Sequence, residues 1–311
     1  MEDRQFLGRT TTRPAGLWYV VRDMGSLRKA VIPVAGFGTR MLPAAKAVPK
    51  ELLPVLDRPT IQYVVEEAAR GGINDVLLIT SREKRAIEDH FDRNLELESR
   101  LKSSGRDSLL ESIKELAQKV QIHSVRQVEP RGLGDAVACA EHHVGSEAFI
   151  CMLGDTLFTG HPTPARQLSD AYAQLGTSII GLEEVSLDKV GRYGIVGGEM
   201  IGGGVMRIDQ LIEKPARDKA PSRLAIAARY VLTPGIFDCL RQTPPGKGGE
   251  VQLTDALKLQ LTREPIHGVV LRAERHDIGN PLDWLKTNLL LASRDPSLWP
   301  ALEPMLRKLL G

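Results

Sequence analysis

The sequence predicts an α/β fold, in which a mixed, mostly parallel sheet is flanked by helices and interrupted by one helical insertion. Short apolar runs alternate with amphipathic stretches along most of the chain, as expected for repeated strand and helix units. The first unit comprises an apolar strand at 29–35, a helix at 61–70 and a strand at 75–80. Such a unit normally closes as a right-handed parallel crossover.

Six further strands are expected from short runs of apolar and β-branched residues. They lie at 148–153, 178–182, 193–196, 208–212, 225–232 and 268–271. The last long helix carries its own start signal, with Asn280 as N-cap, Pro281 at the first helical position and an apolar body at 282–291.

A highly charged stretch at 93–120 stands apart and predicts the helical insertion. Its second half would place six residues on one apolar stripe: Leu109, Leu110, Ile113, Leu116, Ala117 and Val120. We expect this stripe to pack on the sheet or on another subunit. The insertion would lie within one domain at 28–295, preceded by a disordered extension at 1–27 and followed by a tail helix at 296–311.

Composition and charge exclude several classes of protein. The chain has 311 residues, of which 42% are hydrophobic and 26% charged, so it is an ordinary globular sequence. Lys and Arg total 41 against 39 for Asp and Glu, and the net charge of +2 offers no bulk field for nucleic acid or a membrane. The cysteines Cys139, Cys151 and Cys239 form no C-x-x-C pair, which favours apolar fillers in a cytoplasmic protein.

The segment at 35–54, which directly follows the first strand, has the character of a phosphate-binding loop. Gly36 and Gly38 would let the backbone approach a ligand and point N–H groups at it. A hydroxyl and three cations follow within twelve residues: Thr39, Arg40, Lys46 and Lys50. The segment is neither a dinucleotide fingerprint nor a P-loop, because Met41 replaces the third glycine of the former and G-T-R stands in place of G-K-[ST]. A glycine turn with solvated cations is the alternative at this point.

Other polar residues at predicted strand ends have two interpretations each. Asp155 follows an apolar strand, so its carboxylate would reach the edge of the sheet where α/β proteins bind ligands, as a magnesium ligand or as a turn cap. Gln127 offers a donor and an acceptor to the edge of a pyrimidine, or is a buried amide satisfied by backbone. Glu213 and Lys214 contact a ligand or form an exposed strand end.

The motifs at these positions resemble those of a known family. The sequence reads G-x-G-T-R-M-L-P-x-x-K-x-x-P-K-E-L-L-P at 36–54. Further motifs follow in order: Q-x-x-x-x-G-L-G at 127–134, L-G-D at 153–155, Y-G at 193–194, E-K-P at 213–215 and H-D-I-G-N at 276–280. Together they resemble the sugar-nucleotide pyrophosphorylases, over about 28–293. The charged segment at 91–120 is similar to the uridylyltransferase type of that family.

The resemblance implies a Rossmann-like nucleotidyltransferase fold and a homodimer or homotetramer. It implies transfer of the uridylyl group of UTP to glucose 1-phosphate, giving UDP-glucose and pyrophosphate with Mg²⁺ as cofactor. The implied catalytic residues are Arg40, Lys50 and Asp155, and the implied nucleotide-binding residues are Ala35, Gly36, Gly38, Thr39, Gln127 and Gly132. The implied sugar-phosphate contacts are Gly194, Glu213 and Lys214, and the implied metal ligands are Asp155 and Asp277.

Three interpretations stay open. Asp277 has a structural role as an alternative to metal binding, because a helix begins close by at Asn280. The activity has two alternatives, a thymidylyltransferase on the same sugar phosphate and a non-catalytic relative that binds nucleotide sugar. The Thr39-Arg40 pair in the glycine loop is intact, which favours an enzyme over a binding relative.

Overall fold

The structure is a computed structural model that describes residues 26–311, and residues 1–25 of the expected extension at 1–27 lie outside the described residues. Nine strands form the main sheet in the order β5-β4-β1-β6-β11-β8-β12-β10-β9. In chain order the strands are β1 (Lys29–Pro33), β2 (Pro54–Val55), β3 (Arg58–Pro59), β4 (Asp75–Thr80), β5 (Gln121–Arg126), β6 (Phe149–Met152), β7 (Thr156–Thr159), β8 (Ser178–Glu184), β9 (Gly194–Gly202), β10 (Val205–Glu213), β11 (Leu224–Leu232), β12 (Ile266–Val270) and β13 (Glu274–Asp277).

The helices cover both faces of this sheet. They are α1 (Thr60–Arg70), α2 (Arg85–Phe91), α3 (Leu95–Ser103), α4 (Asp107–Lys119), α5 (Leu133–Ala138), α6 (Glu141–Val144), α7 (Pro164–Leu175), α8 (Gly235–Gln242), α9 (Leu253–Leu261), α10 (Pro281–Arg294) and α11 (Trp299–Leu310). Apolar residues of α1 and α7 pack on one face, and those of α5, α8 and α9 on the other. Within residues 26–311 no helix combines the length and apolar character that a membrane span requires.

The sheet is mixed, which confirms the α/β fold class. Strand β1 runs parallel to β4 and β6, β4 parallel to β5, and β8 parallel to β12. Strand β11 lies antiparallel to β6 and β8, and β10 antiparallel to β9 and β12. Antiparallel neighbours are therefore about as common as the parallel ones expected to dominate, because both β11 and β10 run in the reverse direction.

The core is divided by the sheet into two clusters. Along β1, Val31 belongs to one cluster while Ala30 and Ile32 belong to the other, because successive side chains of a strand point to opposite faces. Cys151 on β6 is fully buried in the first cluster, as an apolar filler. The strands at the centre of the sheet are thus buried on both faces, as their continuous apolar runs indicate.

The ends of the described chain correct one expectation and confirm another. Leu27, which we assigned to the disordered extension, is buried at 6% exposure and packs with the core beneath β1, so the folded part includes it. The helix start at 280–281 is confirmed, since the Asn280 side chain accepts a hydrogen bond from the Asp283 N–H at 3.0 Å and Pro281 opens α10.

The insertion consists of two helices, α3 and α4, which pack against each other. Of the expected apolar stripe, Leu110 and Val120 are buried, but Leu109 and Ile113 are 47% and 42% exposed. These two residues therefore do not pack on the sheet, and packing of the stripe on another subunit stays a prediction. The packed side of α3 instead carries Glu98, which binds Arg93 at 2.6 Å.

Candidate active site

The glycine loop after β1 brings a lysine against the backbone. Gly38 has φ of 66° and precedes a short 3-10 turn at Thr39–Met41. A Cβ there would lie 3.2 Å from Cγ of Lys50, so the glycine lets the Lys50 stem pack on the loop. At Gly36 a Cβ would meet nothing within 4 Å, which leaves open space beside exposed Thr39.

Lys50 and Asp155 form the ion pair at the centre of the site. Lys50 opens a 3-10 turn, Asp155 follows β6, and Lys50 Nζ lies 2.5 Å from Oδ2 of Asp155. Burial raises the pKa of Asp155, but the charge and hydrogen bond of Lys50, with the charge of Arg40, outweigh it, so the net pKa is lowered. Burial lowers the pKa of Lys50, but the charges of Asp155 and Glu51 make the net change a rise. Both groups are therefore charged near neutral pH.

Asp277 and Arg40 lie near this ion pair. Asp277 ends β13, and the loop that follows it contacts Arg40 from the glycine loop. A Cβ on Gly279 would lie 2.8 Å from Nη2 of Arg40, so the exposed guanidinium rests on this glycine. The Ile278 N–H donates to the Asp155 carbonyl at 3.2 Å, and Asp277 pairs with Thr156 across the β13 and β7 strands. The fold thus brings Asp277 beside the chain that carries Asp155.

The residues present fit a magnesium ion that is held mainly by substrate oxygens. Asp155 supplies an ionised carboxylate. Asp277 supplies a second carboxyl group, whose Oδ1 already accepts a hydrogen bond from the Gly279 N–H at 2.8 Å. Across residues 26–311 no three carboxylate, imidazole or thiol groups come together as a metal cage. Magnesium usually takes one or two carboxylates and completes its shell with phosphate oxygens and waters, so the two aspartates suffice.

Gln127 and Gly132 form a second group of site residues. Gln127 follows β5, and its buried amide nitrogen donates to the Gly132 carbonyl at 3.3 Å and to Oδ2 of Asp135 at 2.7 Å. Gly132 has φ of 103°, and a Cβ there would lie 2.8 Å from the carbonyl oxygen of Val251. Close packing therefore requires this glycine, whatever its contact with a ligand.

Gly194, Glu213 and Lys214 form a third group, where β9 and β10 pair. A Cβ on Gly194 would lie 3.2 Å from Oε2 of Glu213, so the glycine leaves room for that carboxylate. Oε1 of Glu213 binds Lys214 Nζ at 3.1 Å, and Oε2 accepts a hydrogen bond from Thr254 at 2.8 Å. Lys214 has φ of 46°, a strained value for a residue with a side chain, and is 54% exposed at its side chain.

The residues at 29–294 match the family model described as nucleotidyl transferase. The chain belongs to the nucleotidyl transferase family. Among relatives, the UTP–glucose-1-phosphate uridylyltransferase YngB of Bacillus subtilis is 46% identical over 272 residues, covering 88% of this chain and 92% of its own length. A second UTP–glucose-1-phosphate uridylyltransferase of Bacillus subtilis is 44% identical over 288 residues, covering 93% of this chain and 99% of its own.

Solved structures agree with this membership. A UDP-glucose pyrophosphorylase complexed with UDP-glucose has a TM-score of 0.80 and 37% identity, covering 86% of this chain and 100% of that one. A UTP-bound UGPase from Acinetobacter baumannii has a TM-score of 0.84 and 36% identity, covering 91% of this chain and 99% of that one. The nucleotidyl transferase fold expected from the sequence is confirmed.

In this nucleotidyl transferase Glu51, the carboxylate of the glycine-loop motif at 36–54, has a buried partner. Glu51 and Lys84 are 2% and 5% exposed, and Lys84 Nζ lies 2.7 Å from Oε2 of Glu51. Burial raises the pKa of Glu51, although the charges of Lys84 and Lys50 act against that rise. The negative charge of Glu51 in turn raises the pKa of Lys50. The buried Glu51–Lys84 pair therefore places a negative charge near Lys50 that favours its protonated form.

No motif in the sequence indicated Lys84 or Thr254 as site residues. Lys84 lies within a charged stretch, R-E-K-R, which is typical of a solvated surface. Thr254 lies at the start of α9, and its contact with Glu213 joins two segments 41 residues apart. No local pattern marks either residue, because each is defined by a partner that is distant in the chain.

Arg275 connects the group at Gly194, Glu213 and Lys214 to the strand that carries Asp277. Arg275 on β13, two residues before Asp277, stacks on the Tyr193 ring at 4.6 Å and binds Glu183 at 2.5 Å. Tyr193 directly precedes Gly194, so these contacts form one continuous wall between Gly194 and Asp277. A cleft of about 770 Å³ lies along this wall.

Proposed function

We propose that this chain transfers the uridylyl group of UTP to glucose 1-phosphate and releases pyrophosphate. The observation that carries the proposal is the meeting of Lys50 and Arg40 at Asp155, on the edge of the sheet where β6 ends. Two cations beside an ionised carboxylate suit a reaction between two polyanions. The names of the relatives, which specify UTP and glucose 1-phosphate, support these two substrates.

The reaction needs no general base. A phosphate oxygen of glucose 1-phosphate attacks the α-phosphorus of UTP in line, and the bond to the pyrophosphate leaving group breaks. The attacking oxygen is already anionic near neutral pH, since phosphate monoesters have a second pKa of about 6. The protein must position the two substrates and offset their mutual repulsion, which fixed donors do best.

The cations divide this work in the proposed complex. Arg40 would bind triphosphate oxygens through its planar guanidinium, and Lys50 would stabilise charge around the α-phosphate. Lys50 is held at 2.5 Å from Asp155, so it is fixed in place before a phosphate arrives. Lys214, at the other end of the site, would bind the phosphate of the sugar.

Magnesium, held by Asp155 and Asp277, would neutralise phosphate charge during the transfer. The ionised state of Asp155 supports this proposal, because a hard cation requires the charged form of the carboxylate. Ala35, Gly36, Gly38 and Thr39 would contact the triphosphate, and Gln127 and Gly132 the uracil. Glu213 would accept hydrogen bonds from glucose hydroxyls above Gly194, with Thr254 fixing its carboxylate.

The assay that tests this proposal measures pyrophosphate release by the purified protein. Each of UTP, dTTP, CTP and ATP is supplied with glucose 1-phosphate or galactose 1-phosphate. We expect UTP with glucose 1-phosphate to give the highest kcat/KM. A preference for dTTP would identify a thymidylyltransferase, and binding of UDP-glucose without pyrophosphate release would identify a non-catalytic relative.

We also propose that the enzyme is a cytoplasmic homodimer or homotetramer. The three free cysteines of the described chain support a reducing compartment, and two of them are buried. Two apolar rows on the C-terminal helices support self-association, because they are exposed: Leu282, Leu285 and Leu289 on α10, and Leu298, Met305 and Leu309 beside or on α11. Sedimentation of the full chain would give the oligomeric state.

A further inference from the structure

Both hydrogen-bond donors of the Gln127 side-chain amide already have acceptors within the protein. Its nitrogen carries two hydrogens, and the structure gives both an acceptor, the Gly132 carbonyl at 3.3 Å and Oδ2 of Asp135 at 2.7 Å. The residue is only 5% exposed, so these contacts are shielded from water. The sequence suggested that Gln127 offers a donor and an acceptor to a base, but only the acceptor remains.

The groups around the Gln127 amide determine which of its two atoms is the nitrogen. A flipped amide would face its oxygen toward the Asp135 carboxylate and the Gly132 carbonyl, and both are acceptors that would repel it. Asp135 is itself fixed, because its other oxygen accepts a hydrogen bond from Arg131 at 2.9 Å. Within residues 26–311 the Oε1 atom of Gln127 accepts no hydrogen bond.

We infer that Asp135 is a positioning residue that sets nucleobase specificity by making Gln127 a pure acceptor. A pure acceptor binds a base that presents a ring N–H, as N3 of uracil and of thymine does. The same atom of cytosine carries a lone pair, which would face the lone pairs of Oε1 and repel them. The inference rests on the proposed function, in which Gln127 contacts the base, and extends it to the class of base accepted.

The site would therefore reject cytosine because of its N3 lone pair and not because of the size of the base. A site that hydrogen-bonds a substrate N–H rejects an analogue lacking it strongly, because a buried polar group is then left unpaired. Discrimination between uracil and thymine would not arise at this atom, since both bases carry N3–H. Asp135 would therefore separate UTP from CTP and leave UTP and dTTP to other contacts.

The test compares UTP, CTP and N3-methyl-UTP as substrates of the unmodified protein. We expect kcat/KM to fall by about 100-fold or more for both CTP and N3-methyl-UTP, because neither presents a hydrogen at N3. Titration calorimetry of the three nucleotides without sugar phosphate measures the same selection as binding. Equal use or equal binding of UTP and N3-methyl-UTP would overturn the inference.

The variant Asp135→Asn tests the positioning residue itself. Arg131 would retain the oxygen of the new amide, so the amide nitrogen would face Gln127 and favour the flipped orientation. We expect the ratio of kcat/KM for UTP to that for CTP to fall by about tenfold or more. Asp170→Asn is the matched control, because Asp170 pairs with Arg166 four residues earlier at 2.9 Å on α7, away from the site. Its ratio should equal that of the unmodified protein.

The outcomes separate this inference from the proposed function. If the unmodified protein turns over no nucleotide, the proposed function fails, and the binding titrations still decide the role of Gln127. If Asp135→Asn loses its folded circular dichroism spectrum, the comparison with N3-methyl-UTP decides alone. A folded Asp135→Asn variant with an unchanged ratio would show that Asp135 has only a structural role.

Discussion

Arg229 on β11 binds both carboxylate oxygens of Glu67 on α1, at 3.0 and 2.8 Å. The same guanidinium donates to the carbonyls of Leu153 and Thr156, at 3.4 and 2.8 Å, and these residues lie on either side of the loop that carries Asp155. Arg229 is fully buried and Glu67 is 3% exposed. The pair therefore anchors the loop that carries Asp155 to α1.

Replacing Arg229 with Met should destabilise the protein by roughly 3–5 kcal/mol, because Glu67 is left as a buried, unpaired charge. Urea unfolding followed by circular dichroism measures this loss. Arg223→Met is the matched control. Arg223 directly precedes β11 and pairs with Glu184 at the end of β8, where both side chains are exposed. It should change the unfolding free energy by no more than about 0.5 kcal/mol. Equal losses for the two variants would contradict the anchoring role.

Replacing Lys214 with Ala should raise KM for glucose 1-phosphate by about tenfold or more and leave KM for UTP nearly unchanged, because in the proposed complex the lost charge contacts only the sugar phosphate. Alanine suffers the same strain as lysine at φ of 46°, so the backbone should stay as it is. Lys219→Ala, an exposed lysine on the next turn, is the control. Equal increases in both KM values would contradict the role assigned to Lys214.

Asp155→Asn should lower kcat by about 100-fold or more at fixed magnesium, because a neutral amide keeps the shape of the side chain but binds a hard cation weakly. Initial rates over a range of magnesium concentrations measure the effect. The exposed residue Asp209 provides the control Asp209→Asn. A near wild-type rate at ordinary magnesium levels would show that Asp155 is a turn cap.

Lys84→Met should make stability fall as pH rises above about 4.5, the ordinary pKa of Glu51. Burial already raises the pKa of Glu51, and loss of the Lys84 charge raises it further. The native state then binds a proton more tightly than the unfolded state, so the unfolding free energy decreases with pH up to the folded pKa. Urea unfolding at pH 5 and pH 8 checks this sign. For the exposed control Lys102→Met, no such added slope is expected.

Elements with a local signal were predictable from the sequence. The buried runs of β1 and β4 and the Asn280-Pro281 helix start were placed correctly, because each depends on side chains that are close in the chain. Strand β5 was missed, since Gln121–Arg126 is mostly polar and lies at the edge of the sheet. Its conformation comes from backbone pairing with β4, and its side chains show no alternation of apolar and polar residues that would predict a strand.

The sequence motifs indicated individual residues of the site, but the contacts between those residues could not be predicted. The sequence indicated Lys50, Asp155 and Gln127, yet it could not show that Lys50 and Asp155 pair or that Asp135 occupies the donor side of Gln127. Arg229 and Glu67 lie in apolar segments 162 residues apart. A pair of that separation depends on strand order, which local patterns do not specify.

The central claim, attack on the α-phosphorus of UTP, is tested most directly by the fate of that atom. UTP carrying ³²P at the α-position is incubated with unlabelled glucose 1-phosphate, magnesium and the purified protein, and the products are separated. The account predicts that all transferred label is found in UDP-glucose and none in pyrophosphate. Label released as UMP or found in pyrophosphate, or label that stays wholly in UTP, would contradict it.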